Sequence, residues 1–349
     1  MTSLPRGIDV TFLDDGGQNP ADVLDRLVSF IGAARHSLDV AVYDAHLSDA
    51  NRDRLIAAFD AAEARGVTVR AVYNDEPKGN AAVPPPTGPS SLARLAASIP
   101  STAIPGVPDL MHHKYIVRDH TDVWTGSTNW TDDAWSNMEN VIVTVASTDV
   151  AAAFTNDFDE LWNSKRVETS GNVVDQPADV DGAYVRAIFS PGRGRQLGLT
   201  IAGAVGRARE RVRVCSPVLT SAPILSTIAE VLDDRRCEVT VTVDGPQMEQ
   251  ALKQWAADGR AAWKGPLFER VRAAGVLAEK PSRAWEAGPP HNYMHAKIVV
   301  ADDVVFTGSY NCSHSGERNA ENVLEIRNAA LADVFAAYCD RVHAKYAKP

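Results

Sequence analysis

The chain has 349 residues, 45% of them hydrophobic and 23% charged, with a formal net charge of −10; this balance excludes intrinsic disorder, a collagen-like repeat and a disulfide-stapled miniprotein. The length suits two domains at about 150 residues each, and a pI near 5.4 argues against binding nucleic acid through bulk charge while leaving room for a local basic site. No basic-then-apolar leader opens the chain, no apolar run approaches the roughly 20 residues of a membrane span, and Cys215, Cys237, Cys312 and Cys339 show no metal-ligand spacing, so a cytoplasmic protein with reduced thiols is expected.

In chain order, Asn19 is the expected N-cap of a helix with Pro20 at its first position and Val23, Leu24, Leu27, Phe30, Ile31 and Ala34 at helical spacing. Residues 37–44 read as a strand rich in β-branched side chains. Ser48 is placed to cap a second helix carrying Leu55, Ile56 and Phe59, Gly66 to stop it, and 67–73 to form the next strand. The Pro-rich stretch 81–90 reads as a surface loop, and the polar segment 168–183 as a linker dividing an N-terminal domain, 1–167, from a C-terminal one, 184–349. In the second half, strands are expected at 184–190, 211–219 and 237–243, with helices through Ile201, Ala204, Val205 and Ala208 and over 222–234. Residues 247–292 form an insertion with no equally long counterpart in the first half. Strand–helix–strand, twice over, predicts an α/β fold with mixed, mostly parallel sheets flanked by helices.

The chain also repeats its chemistry. His112, Lys114 and Asp119 read H-x-K-x4-D, and His295, Lys297 and Asp302 restate it 183 positions later. Gly126-Ser127-Thr128-Asn129 recurs as Gly308-Ser309-Tyr310-Asn311, and 137–141 recurs as 319–323, each 182 positions on. Side chains alternate along a strand, so His112 and Lys114 are expected on one face, as are His295 and Lys297. An ammonium beside an imidazole repels a metal cation and suits an anion, so neither a metal nor a cofactor is expected. Lys114 and Lys297, with donors from Ser127, Asn129, Ser309 and Asn311, would hold one tetrahedral phosphate between two imidazoles. One neutral His can then attack phosphorus, while the other, protonated, releases the leaving oxygen and next activates water or an alcohol. Glu139 and Glu321, at near-constant distance from the histidines, are the candidates for fixing each imidazole's tautomer. Asp119 and Asp302 sit past the strand and are expected to brace the backbone, with direct catalysis the alternative.

The doubled H-x-K-x4-D followed by G-S-x-N closely resembles the phospholipase D superfamily, whose hallmark is a pair of HKD motifs. The resemblance covers nearly the whole chain. It implies two phospholipase D-like α/β domains about a pseudo-two-fold axis, one shared metal-free active site and a phosphohistidine intermediate, with His112 as nucleophile and His295 as acid/base. Both motifs lie in one chain, so a monomer suffices for activity. A phospholipid or related small phosphodiester is the leading substrate, with hydrolysis or transphosphatidylation as the reaction. A nuclease acting on DNA or RNA is the alternative, and an inactive anion-binding module the third reading. Trp124, Trp130 and Trp135 near the first motif, and Trp255, Trp263 and Trp285 in the insertion, suit a lipid–water boundary or base stacking, with plain packing as the alternative. Residues 247–290 carry seven basic against five acidic side chains, which makes the 247–292 insertion a candidate for peripheral membrane contact. His113 and His291 are candidates for touching substrate, and Asp44 and Asp75 close early strands where α/β sites gather.

Overall fold

Apolar residues at a period of two build strands here, and those at a period near 3.6 build the helices that cover them. The structure, a computed structural model, describes residues 4–75, 91–174, 176–283 and 290–347; the Pro-rich stretch 81–90 and Trp285 lie outside them. The first half forms a 7-stranded sheet in the order Ile8–Leu13, Asn140–Ala146, Asp122–Gly126, Lys114–Arg118, Ser37–Val42, Thr68–Asp75, Ser101–Pro105. The second half forms an 8-stranded sheet. After an added edge strand, Ala178–Val180, come Ala183–Ser190, Glu321–Arg327, Val304–Gly308, Ile298–Ala301, Arg211–Cys215, Glu238–Asp244 and Leu277–Lys280. Position by position, the second order restates the first.

The expected α/β class and doubled domain hold, but the expected parallel majority does not. Parallel pairing is confined to one end of each sheet. There Thr68–Asp75 lies between Ser37–Val42 and Ser101–Pro105, and Glu238–Asp244 lies between Arg211–Cys215 and Leu277–Lys280. The other pairings in these two sheets, among the described residues, are antiparallel. Connections explain the difference. Parallel neighbours need a crossover, which helices Asp49–Ala64 and Ala222–Asp233 supply. The motif strands instead double back through tight turns in which Asp119 and His120 (φ 54° each) and Asp302 (φ 51°) adopt left-handed backbone, and a hairpin can only be antiparallel. Part of the expected linker is itself strand, since Ala178–Val180 pairs with 183–185. Likewise Leu277–Lys280, inside the 247–292 insertion, is the sheet's edge strand, preceded by helices Gly245–Ala257 and Lys264–Ala273. That stretch is therefore built into the domain.

Helices Thr148–Ser164 and Ala329–Tyr346 close the two halves and share one apolar core with strands of both sheets. Phe154 meets Phe189 of the second sheet edge-on at 5.1 Å, and Phe335 meets Phe12 of the first at 5.2 Å. These are equivalent pairs exchanged between the halves, as a pseudo-two-fold requires. Each contributes about 0.5–1.5 kcal/mol beyond its buried area. Separate outer cores lie on the far faces. Trp124, Trp130 and Trp135 belong to the first of these and are buried, so they pack against neighbouring side chains.

Candidate active site

The motif strands Lys114–Arg118 and Ile298–Ala301 are interior to their sheets, and the residues just before them bridge to the opposite half, Met111 to Ala320 and Met294 to Glu139. His112 N donates to Ala320 O at 2.9 Å and His295 N to Glu139 O at 3.1 Å. Each histidine is thus pinned by the half it does not belong to. The rings follow the backbone. His112 Nδ1 pairs with Glu321 Oε2 at 2.8 Å and the ring also meets the Ser309 carbonyl. His295 Nδ1 pairs with Asn140 Oδ1 at 3.0 Å and that ring meets the Ser127 carbonyl. Lys114 Nζ donates to His112 O (2.5 Å) and Lys297 Nζ to His295 O (2.8 Å), so each lysine folds back onto its own motif.

The Gly-Ser turns let the half-sites close. Gly126 (φ +145°) and Gly308 (φ +157°) need glycine's freedom, and a Cβ there would lie 2.1 Å from Val141 O and 2.2 Å from Asn322 O. Ser127 and Ser309, expected as phosphate donors, are fully buried and use their hydroxyls inside the protein. Ser127 Oγ donates to Asn140 Oδ1 (2.8 Å) and accepts from Val141 N (2.9 Å), and Ser309 Oγ accepts from Asn322 N (3.0 Å). They tie each turn to the next strand. Asn129 and Asn311 are half-buried, and each amide oxygen is buried without a hydrogen-bond partner among the described residues. An amide left so uncommitted can turn its NH2 toward a bound anion.

Asp119 and Asp302 stand away from the histidines at the strand-end turns. Asp119 accepts N–H donors from Arg35 (2.9 Å), His36 (2.6 Å) and Ser37 (2.9 Å), and Asp302 those of Arg209 (2.9 Å), Glu210 (2.9 Å) and Arg211 (3.0 Å). Burial alone would raise both carboxyls, but the donated N–H groups outweigh it and hold both below the usual range.

Electrostatically the centre is starved of negative charge. Burial pushes His112 well below its ordinary value, reinforced by Lys114, Lys297 and His113. His295 is depressed likewise by burial and by Lys297, Lys114 and His112. Burial drives Lys114 down to about 7 against the pull of Glu321 and Asp44, and Lys297 falls well below its normal value through burial and the nearby Lys114. Glu321 is raised to about 7 by burial, with Lys114 and Ser309 opposing. Four basic groups pressed toward neutrality around one spot make a receptor for an anion, whose arrival would restore their charge.

Glu139, expected to orient His295, is held elsewhere. Its carboxylate meets Lys280 Nζ (2.5 Å), Lys345 Nζ (3.3 Å) and the Tyr346 hydroxyl. Asn140 occupies the place beside the ring. The repeated N-x-E-N could have pointed to Asn140, because its second Asn recurs in both halves. Tyr43, which the motifs did not signal, sets its ring 4.6 Å from that of His112, with Lys114 Nζ 4.7 Å from its centroid. His113 is fully buried, 3.1 Å from Asp157 and bonded through Nδ1 to Asn322, and so is shielded from a ligand. His291 stacks on Tyr293 and its backbone N–H donates to Asp133. Asp44 lies 3.1 Å from His46, whereas Asp75 is exposed at its strand end.

Two similar α/β halves with a histidine and a lysine from each meeting at one centre define a phospholipase D-like protein. Residues 27–162 and 201–343 both match the family described as cardiolipin synthase, PLD-like domain, and the chain belongs to it, within the phospholipase D superfamily of phosphodiesterases. Over 137 residues it is 34% identical to the mitochondrial cardiolipin hydrolase of Xenopus laevis, an overlap covering 39% of this chain and 59% of that protein. The chain thus spans about three fifths of the length of this relative. Among solved structures, the phosphatidylserine synthase of Haemophilus influenzae matches 96% of this chain and 86% of its own at 15% identity, with a TM-score of 0.66. The polyphosphate kinase of Porphyromonas gingivalis matches 96% of this chain and 47% of its own at 11% identity, with a TM-score of 0.59. These two share the fold.

Proposed function

We propose that the chain is a phospholipase D-type phosphodiesterase that cleaves a phospholipid or related small phosphodiester in two steps without a metal. The observation that carries this reading is the reciprocal crossing: His112 is held by Glu321 and Ser309 of the second half, His295 by Asn140 and Ser127 of the first, and each ring feels the other half's lysine. Neutral His112 attacks phosphorus through Nε2 as the bond to the leaving oxygen breaks. His295, protonated while the substrate anion offsets Lys114 and Lys297, gives its Nε2 proton to that oxygen. The phosphohistidine is a cationic imidazolium, and Glu321 at its Nδ1 balances that charge. Neutral His295 then takes a proton from water or an alcohol, whose oxygen attacks phosphorus and releases His112. Lys114 and Lys297, with Asn129 and Asn311, stabilise the charge on the non-bridging oxygens. The site is complete in one chain, so a monomer suffices. The relative named a cardiolipin hydrolase favours a lipid substrate.

In the insertion Trp255 is buried, whereas Trp263 is 51% exposed beside Lys264, and we assign that corner to contact with a membrane surface. No helix among the described residues is long and apolar enough to cross a membrane.

The test is a panel of cardiolipin vesicles, phosphatidylcholine vesicles, single-stranded DNA and RNA, run in EDTA with His112→Ala as control. Phospholipid turnover that survives chelation and vanishes in the variant is expected. Turnover of nucleic acid alone, falling steeply as salt rises, establishes the nuclease instead. Activity that EDTA abolishes overturns the mechanism.

A further inference from the structure

The two half-sites spell the same letters but are not assembled the same way. By the repeat, Met111 corresponds to Met294, and Ala320 to Met138. Met111 bridges to Ala320, yet Met294 bridges to Glu139, one residue beyond Met138. A slip of one residue along an extended segment exchanges which side chains face the partner. In the unslipped half, Glu321 faces His112 and Asn322 faces the adjacent His113. In the slipped half, Asn140 faces His295 and Glu139 turns away.

Sequence differences hold the slip in place. Lys280 ends the edge strand Leu277–Lys280 at the register position that Ile104 occupies in the other sheet, opposite Asp244 and Asn74 respectively, the two residues that accept from Met294 N and Met111 N. It is fully buried and bonds Glu139, Asp15 and two backbone carbonyls. Lys345 and Tyr346, from the last turn of helix Ala329–Tyr346, add two more contacts to the same carboxylate. The first-half helix aligns Ser164 and Lys165 with them, taking the spacing of Phe154 and Phe335. No equivalent clasp is recorded for Glu321 among the described residues. The Asn140 amide is meanwhile oriented on both sides. Its nitrogen donates to Ala134 O (3.1 Å), which leaves Oδ1 to accept from Ser127 Oγ and from the His295 ring.

We propose that Asn140, and not Glu139, is the positioning residue for His295, and that Glu139 serves the Lys280–Lys345–Tyr346 clasp that locks the C-terminal helix against the site. The proposal rests on the phosphodiesterase reading. An amide oxygen accepting at Nδ1 fixes the proton there and leaves Nε2 toward the substrate, without the charge compensation that Glu321 gives His112. Division of labour follows: the carboxylate-backed ring suits the covalent step, and the amide-backed ring suits rapid proton exchange.

Nitrogen-detected NMR titration of the imidazoles in the resting protein tests it without needing turnover. The groups facing His295 are Lys297, Lys114 and His112. Asn140→Asp, which keeps the shape and adds a charge, should raise the His295 titration midpoint by about one unit or more, and the acid limb of kcat should move with it while KM holds. Removing Glu139 alone strands a buried ammonium, so it is paired as E139Q/K280M, which should leave that midpoint and kcat in place but lower the thermal midpoint. Should the double variant fail to fold, Tyr346→Phe loosens the clasp alone and should behave likewise. An unmoved midpoint in N140D, or one displaced as far by E139Q/K280M or Y346F, overturns the proposal. Failure of the wild-type protein to hydrolyse bis(p-nitrophenyl) phosphate sinks the enzymatic reading and leaves the titration result standing.

Discussion

Glu139 and Glu321 occupy the same place in the repeat, are equally buried, and have different partners: three cation or hydroxyl groups for one, an imidazole for the other. The contrast teaches that a doubled motif specifies which groups are available, while the strand register decides which of them meet. One residue of slip turns a carboxylate–histidine pair into an amide–histidine pair with no change of letters.

The largest effect expected is loss of either histidine. His112→Ala and His295→Ala should each cut kcat by about 10⁴-fold or more, but with different residues of chemistry left behind. With a p-nitrophenyl leaving group, which needs no acid, H295A should accumulate phosphorylated protein and H112A should not. If both accumulate it equally, the halves are functionally symmetric and the contrast fails. Next comes Glu321→Gln, which should cost about 10²–10⁴-fold in kcat because the cationic intermediate loses its counter-charge. A loss no greater than that of E139Q/K280M would erase the distinction between the carboxylates.

Asp119 and Asp302 sharpen the comparison from the other side, since here the halves are alike. Either aspartate changed to alanine should lower unfolding free energy by about 2–4 kcal/mol through loss of charged hydrogen bonds to three backbone N–H groups, with kcat of the folded protein retained. A collapse of kcat at full stability would return them to the chemistry. The smallest effect is a pH dependence. Sulfate stays fully ionised from pH 6 to 9, so its competition with substrate reports the protein's charge alone. Burial lowers Lys114 to about 7, and a bound anion would raise that value again, so binding takes up a proton. Sulfate inhibition should therefore be strongest below pH 7 and weaken about tenfold per unit above it. A flat profile would place the lysine outside the anion's reach.

Much of this was legible beforehand. The α/β class, the doubling and most strands could be read from periodicity, and the pairing of His112 with Lys114 and His295 with Lys297 from the repeat. The strand directions could not, because whether a strand crosses over or turns back depends on left-handed residues such as Asp119 and Asp302, whose backbone is visible only in three dimensions. The first strand, Ile8–Leu13, carries no signal of its own, because it sits alone at the start and is completed by pairing with Asn140–Ala146. The place of Glu139 is hidden from the motif because its nearest cations arrive from residues 280 and 345, far along the chain. The serines of the Gly-Ser turns had the composition of ligand donors, and only burial reveals that their hydroxyls are committed to neighbouring strands.

The exchanged phenylalanines carry one last consequence. Because Phe154 seats against the second sheet and Phe335 against the first, neither half finishes its own surface, and the molecule behaves as a two-subunit assembly joined by a peptide tether. The tether keeps the subunits at high effective concentration, so their mutual affinity need not be great for the assembly to persist. Separate expression of 1–174 and 175–349, which keeps the edge strand Ala178–Val180 with its sheet, should give two sticky fragments that regain solubility when mixed at high concentration.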